Sequence, residues 1–152
     1  MNAVKRLVIF SLDEQRYALP LSAVTRVVRA VEITSLPNTP EIIRGIINVQ
    51  GSLIPVADIR KRFGLPAKEL EPADHLIIAK TSRRPLALIA DAVEDVCEES
   101  SQQPVPMAEI AAGGDYIEGV LKLEGGLVLI HGLDKFLSLE EDEELDTALR
   151  KT

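Results

Sequence analysis

The chain is expected to form a mainly β fold, two related β subdomains packed on each other, with short helices and a C-terminal helix. Three observations lead there. The apolar residues are chiefly Ile, Leu and Val, while Phe10, Phe63, Phe136, Tyr17 and Tyr116 are the only aromatics and Trp is absent; β-branched side chains pack well on pleated sheets. Apolar runs are short and separated by turn-forming residues. Finally, Gly45 to Leu65 (GIINVQGSLIPVADIRKRFGL) recurs at an offset of 74 as Gly119 to Leu139 (GVLKLEGGLVLIHGLDKFLSL). Gly45 meets Gly119, Gly51 meets Gly125, and Leu53, Lys61 and Leu65 meet Leu127, Lys135 and Leu139. Neither half alone encloses a generous core, so the two are expected to pack together as one intertwined domain over 1–152.

In chain order, Leu7 to Leu12 and Tyr17 to Leu19 read as a hairpin closed by the four polar residues Asp13-Glu14-Gln15-Arg16, with Pro20 ending the second strand. Val24 to Val28 is assigned to a strand on its β-branching. Thr39-Pro40-Glu41 matches an N-cap and first turn and predicts a single helical turn before Gly45. In the repeat unit, the runs Gly45 to Val49 and Leu53 to Val56 flank the turn tripeptide Gln50-Gly51-Ser52. A short helix should follow, capped by Asp58, with Lys61 and Arg62 near its end and Gly64 as a left-handed stop. Pro66 to Asp74 is loop-like. Leu76 to Ala79 and Leu86 to Ala90, separated by Ser82-Arg83-Arg84-Pro85, form a third hairpin. Asp91 to Val96 continues as an edge or bent strand. Glu98 to Pro106 breaks it, and Gly113-Gly114 is a flexible joint. The acidic segment 139–152 reads as a mostly solvated helix or tail, with Leu145 and Leu149 at i, i+4 spacing.

At 152 residues one compact domain is expected to bury roughly 68–70% of its unfolded surface without a metal or disulfide. The net charge of -7 argues against nucleic acid or anionic membrane as partners, since both need clustered Lys and Arg. Cys97 is the single cysteine, so no intrachain disulfide can form. The apolar run Leu7 to Leu12 is too short for a signal-peptide core, and no run reaches transmembrane length; a cytoplasmic protein is expected.

No catalytic motif is present, and neither an enzyme nor a cofactor is expected. The trio Asp91, Glu94 and Asp95 could hold a hard cation, yet carboxylates on a strand edge are far more often solvated charge. Asp58 could serve as a base but lies where a helix needs its cap. His131, at the place of Ala57 in the first repeat, fits a packed strand-end histidine. Apolar positions at Val24, Val27, Ile89 and Val93 fit either a docking face or core, and core is the commoner role.

Several of these segments, in this order and spacing, resemble CheW-like domains. The likeness rests on Gly45-Ile46-Ile47-Asn48, Gly51, Ile54-Pro55-Val56, Asp58, Arg60 and Phe63-Gly64-Leu65. It extends to Tyr17-Ala18-Leu19-Pro20, Leu36-Pro37 to Pro40, Ile89-Ala90-Asp91-Ala92-Val93 and Tyr116-Ile117-Glu118-Gly119, and covers roughly residues 4 to 139. The resemblance implies a pair of packed five-stranded SH3-like β barrels. It implies a non-enzymatic adaptor coupling the cytoplasmic tip of methyl-accepting chemoreceptors to the regulatory domain of a CheA-type histidine kinase. The partner-binding set it implies is Val24, Arg26, Val27, Gly45, Asn48, Gln50, Gly51, Ile89, Asp91 and Val93. Two departures stand out. Where the family usually has Asn-Leu-Arg-Gly this chain has Asn48-Val49-Gln50-Gly51, and where it usually has Val-x-Glu-Val it has Val24-Thr25-Arg26-Val27. They read either as a paired change or as an altered partner surface in a divergent chemosensory system. The alternatives are a CheW-like module that binds a single array component as decoy or regulator, and a small ligand-binding domain.

Overall fold

The computed structural model describes residues 6–98, 104–105, 117–123, 126–132 and 137–150. Its strands are β1 (Arg6–Leu12), β2 (Gln15–Pro20), β3 (Val24–Arg29), β4 (Ile43–Val49), β5 (Ser52–Ala57), β6 (His75–Lys80), β7 (Pro85–Ala90), β8 (Ala92–Glu98), β9 (Pro104–Val105), β10 (Ile117–Leu123) and β11 (Gly126–His131). Two helices, α1 (Ile59–Arg62) and α2 (Leu139–Arg150), complete it, with a 3-10 turn at Leu21–Ala23. One sheet runs β3-β6-β7-β5-β4; the other runs β8-β1-β2-β11-β10, with the two-residue β9 beyond. Each contains one parallel pairing, β5 with β7 and β11 with β2. Thr34, five residues past β3, bridges to Ile46 on the outer edge of β4, so the segment leaving β3 folds onto β4 while β3 itself pairs only with β6 among the described residues.

The apolar runs are continuous because most strands are buried on both faces. On β6, Leu76 and Ile78 point into the interior of the five-stranded sheet, while Ile77 and Ala79 point toward the other sheet. β7 divides the same way, with Ala87 and Ile89 inside and Leu86, Leu88 and Ala90 between the sheets. The six-stranded sheet encloses Leu7, Ile9, Ala18, Leu121, Val128 and Ile130. A central cluster containing Phe10, Leu12, Tyr17 and Leu19 from one sheet and Ile43, Ile77, Leu86 and Leu88 from the other joins the two. The hairpins β4–β5 and β10–β11 share their register at the offset of 74: Gly45 faces Val56 as Gly119 faces Ile130, and each has its register shift just before the glycine.

Several expectations are corrected. The first hairpin closes through the two-residue turn Asp13-Glu14, with Asp13 at φ 54, because Gln15 and Arg16 already pair with Leu12 and Ser11. The second closes through Gln50-Gly51 alone, at φ 52 and 87, and Ser52 belongs to β5. That is the positive-φ pair a tight hairpin turn requires. Thr39-Pro40-Glu41 starts no helix: the Ile43 N–H donates to the Pro40 carbonyl at 2.9 Å, a reverse turn that feeds β4. β8 begins at Ala92 on the edge of the six-stranded sheet, so the chain changes sheets at Asp91.

Helix α2 is docked rather than mostly solvated. Leu145 is fully buried in the central cluster, Ala148 is buried, and Leu149 packs beside them. Gly113-Gly114, Tyr116, Gly125, Lys135, Phe136 and most of the break after Glu98 lie outside the described residues.

Candidate partner-docking surface

The β4–β5 hairpin and β3 frame the residues expected to meet a partner. Asn48 is exposed near the hairpin tip, and its Oδ1 accepts the Gly51 N–H at 2.9 Å, which presets the turn. Gln50 projects from this turn, exposed. Gly45 is buried at the register shift, and a Cβ there would lie 2.2 Å from the Thr34 carbonyl oxygen. An open groove of about 430 Å³ runs along this side, with Ile46 and Ile47 among its lining residues and Val31, Asn48 and Leu53 beside them. Val31 and Leu53 are 44% and 49% exposed.

On β3, Arg26 is exposed and Val27 is 38% exposed, while Val24 is half-buried against the central cluster. Val93 on β8 is also half-buried against that cluster. Ile89 is core, 7% exposed inside the five-stranded sheet, so it cannot touch a partner directly. Arg26 and Gln50 stand on opposite end strands of the sheet and its terminal turn, and no hydrogen bond or ion pair joins them among the described residues. The structure therefore gathers Asn48, Gln50 and Gly51 at one tip and Val24, Arg26 and Val27 on one end strand, and it leaves Gly45 and Ile89 beneath the surface and Asp91 half-buried.

Asp91 is not solvated charge; it belongs to an ionic junction between the sheets. Arg60, 4% exposed, grips Asp13 with two bonds, Nη2 to Oδ1 at 2.8 Å and Nη1 to Oδ2 at 3.1 Å, and donates from Nη2 to Asp91 at 2.7 and 2.9 Å. The Asp13 N–H donates to Asp91 Oδ2 at 2.6 Å. Lys68 Nζ reaches Asp91 at 3.2 Å and Asp74 at 3.0 Å. One guanidinium thus ties the β1–β2 turn, α1 and the β7–β8 crossing together. Burial pushes the Asp91 carboxyl up, but the Asp13 N–H, Arg60 and Lys68 outweigh it and hold its pKa below the ordinary value. The bond to Asp13 raises the Arg60 guanidinium further above its already high value, against the effect of burial. Tyr17 stacks between Phe10 and Phe63 beside this junction, at centroid distances of 5.8 and 4.9 Å.

Asp58 caps α1, its Oδ1 accepting the Arg60 N–H at 3.1 Å, and its Oδ2 accepts from Arg44 at 3.3 Å. Among the described residues no group of three His, Cys, Asp or Glu has metal-holding geometry. The His131 backbone lies on β11 opposite Ile117, matching Ala57 opposite Ile43.

The sequence reading missed Asp13, Lys68 and Asp74, whose spacing along the chain carries no pattern. It also missed a findable signal, Ser138-x-x-Glu141. The Glu141 N–H donates to Ser138 Oγ at 3.1 Å and the Ser138 N–H to Glu141 at 2.9 Å, a reciprocal cap that opens α2. Glu141 also pairs with Arg62, and the buried Asp142 accepts from Arg83 at 2.7 Å and Arg84 at 3.0 Å. These three arginines explain how an acidic helix docks.

Comparison with known proteins agrees with this architecture. The chain is 28% identical over 144 residues to the chemotaxis protein CheW of Rhizobium meliloti (strain 1021), covering 93% of each chain. It is 26% identical over 132 residues to protein FrzA of Myxococcus xanthus, covering 82% of this chain and 79% of that one. The crystal structure of the scaffolding protein TtCheW from Thermoanaerobacter tengcongensis superimposes with a TM-score of 0.79 at 34% identity, over 93% of this chain and 92% of that one. The family model for the CheW-like domain matches residues 6–141, and the chain belongs to that family.

Proposed function

We propose that this chain is a non-enzymatic adaptor that couples chemoreceptors to a CheA-type histidine kinase in a bacterial chemosensory array. The observation that carries the reading is the match in sequence and fold to a scaffolding protein along nearly the whole chain. The distribution of chemistry supports it. The buried charges Arg60, Asp58 and Asp142 are engaged in ion pairs between elements, whereas the groove and β3 expose Val27, Val31 and Leu53. Apolar side chains ringed by polar ones suit a protein partner better than a small substrate.

In this reading the chain is one domain of two intertwined subdomains related by the repeat 45–65 and 119–139. Arg26, Val27, Asn48, Gln50 and Gly51 meet partners directly, and Val24 and Val93 support them. Gly45, Ile89 and Asp91 shape the surface from beneath. Titration calorimetry against the kinase regulatory domain and the receptor tip encoded in the same genome tests the reading. Binding to both is expected; binding to neither overturns it. Binding to one alone would make the chain a single-component decoy or regulator, a reading favoured by Arg26 and Gln50, which depart from the family's usual Glu and Arg.

A further inference from the structure

β3 ends the five-stranded sheet and, among the described residues, pairs on one side only, with β6. Thr25, Arg26 and Val27 are exposed in succession, where a strand with one covered face would alternate. The register shift between Val24 and Arg26 accompanies this break in alternation. Arg26 stands opposite Ile78 and Arg29 opposite His75, so the two arginines leave opposite faces of the strand and flank its free edge.

Both cations are unmatched. Arg44, Arg60, Arg62, Arg83 and Arg84 each pair with a carboxylate. Arg26 and Arg29 enter no ion pair among the described residues, on a chain whose net charge is -7. Charged side chains on an end strand often only guard against edge-to-edge aggregation. A guard alone does not account for the apolar side chains beside it, Val27 at 38% exposure and Val31, just past the strand, at 44%. An open backbone edge, two free guanidinium forks and two exposed valines together match a segment bearing carboxylates around an apolar residue.

Resting on the adaptor reading, we infer that the free edge of β3 docks an acidic segment of a partner protein, with Arg26 and Arg29 pairing to its carboxylates and Val27 and Val31 supplying the apolar contact. The sign of charge at this edge then selects the partner, because a basic segment would meet two guanidinium groups that no carboxylate of this chain neutralises among the described residues.

Calorimetric titration of the full chain and of the double variant Arg26→Glu, Arg29→Glu, against the receptor tip and the kinase regulatory domain of the same genome, tests the inference. The variant keeps a charged, guarded edge and reverses only its sign. Binding to one of the two partners is expected to weaken by about tenfold or more and to lose its steep salt dependence. Changing that partner's acidic contact residues to Lys should restore binding to the variant. If circular dichroism shows the reversed variant misfolded, Arg26→Gln with Arg29→Gln should still flatten the salt dependence. A folded variant that binds both partners as the wild type does overturns the inference and leaves the adaptor reading standing. A wild-type chain that binds neither removes both.

Discussion

Gly45 and Gly51 show how differently two glycines of one motif are used. At Gly45, φ is 154 and a Cβ would meet the Thr34 carbonyl oxygen at 2.2 Å and Ile33 Cγ2 at 2.8 Å. That carbonyl accepts the Ile46 N–H at 2.8 Å, so it cannot retreat without breaking the bridge that joins the segment after β3 to β4. Gly45→Ala should cost about 3 kcal/mol or more in urea unfolding. Gly51, at φ 87 with open space around it, should lose only about 1 kcal/mol on the same change, because the penalty is conformational alone. Arg60 is the other residue on which the fold turns. Arg60→Met would leave Asp13 without its guanidinium partner and Asp91 with only Lys68 and the Asp13 N–H; because the Asp13 side chain is 46% exposed, water takes up part of the loss and the cost should be about 1–3 kcal/mol. Because the folded Asp91 holds its carboxyl below the ordinary value of 3.8, its contribution is complete above that pH and is lost as pH falls through the lower folded value. Acid titration of wild type should therefore show stability declining below roughly pH 4, with a shallower slope in Asp91→Asn.

Among the elements, α2 tests how far local pattern predicts packing. Its acids crowd the first turn, which suits the helix dipole, and the Ser138 and Glu141 cap closes its start. Those features make a helix but do not dock it. Docking comes from Leu145 in the central cluster and from Arg62, Arg83 and Arg84, which lie on α1 and next to β7. Leu145→Ala should cost about 2–5 kcal/mol in chemical unfolding, whereas Glu144→Gln on the exposed face should stay within about 0.5 kcal/mol. The hairpins tell the opposite story. Their turn residues and continuous apolar runs predicted all three; the first two turns are shorter than expected, and the third is displaced by one residue, to Thr81–Arg84, because Pro85 pairs with Lys80 and opens β7. Polar Gln15, Arg16 and Ser52 read as loop, yet a strand edge accepts them as readily as a turn does. The Thr39-Pro40 segment misled because a cap sequence also fits a reverse turn when a strand, not a helix, follows.

For the whole molecule, the central cluster draws Phe10, Leu12, Tyr17 and Leu19 from one sheet and Ile77, Leu86 and Leu88 from the other, with Leu145 between. Neither sheet keeps this surface buried alone, so the molecule should unfold in one cooperative step. Far-UV circular dichroism and the near-UV signal of Tyr17, packed between Phe10 and Phe63, should give coincident transitions; separated midpoints would mean independent sheets. The sequence by itself determined the β class, the hairpins, the capped α1, the 74-residue repeat and the family, because each is written in neighbouring residues or in a repeated string. Tertiary structure alone decided which apolar residues are surface, placing Ile89 in the core and leaving Val27 and Leu53 open. It also turned Asp91 from surface charge into part of a junction with Asp13, Arg60 and Lys68. Burial and ion pairing depend on which strands become neighbours, and Arg60 meets an aspartate 47 residues away across two sheets, a distance over which no periodicity carries information.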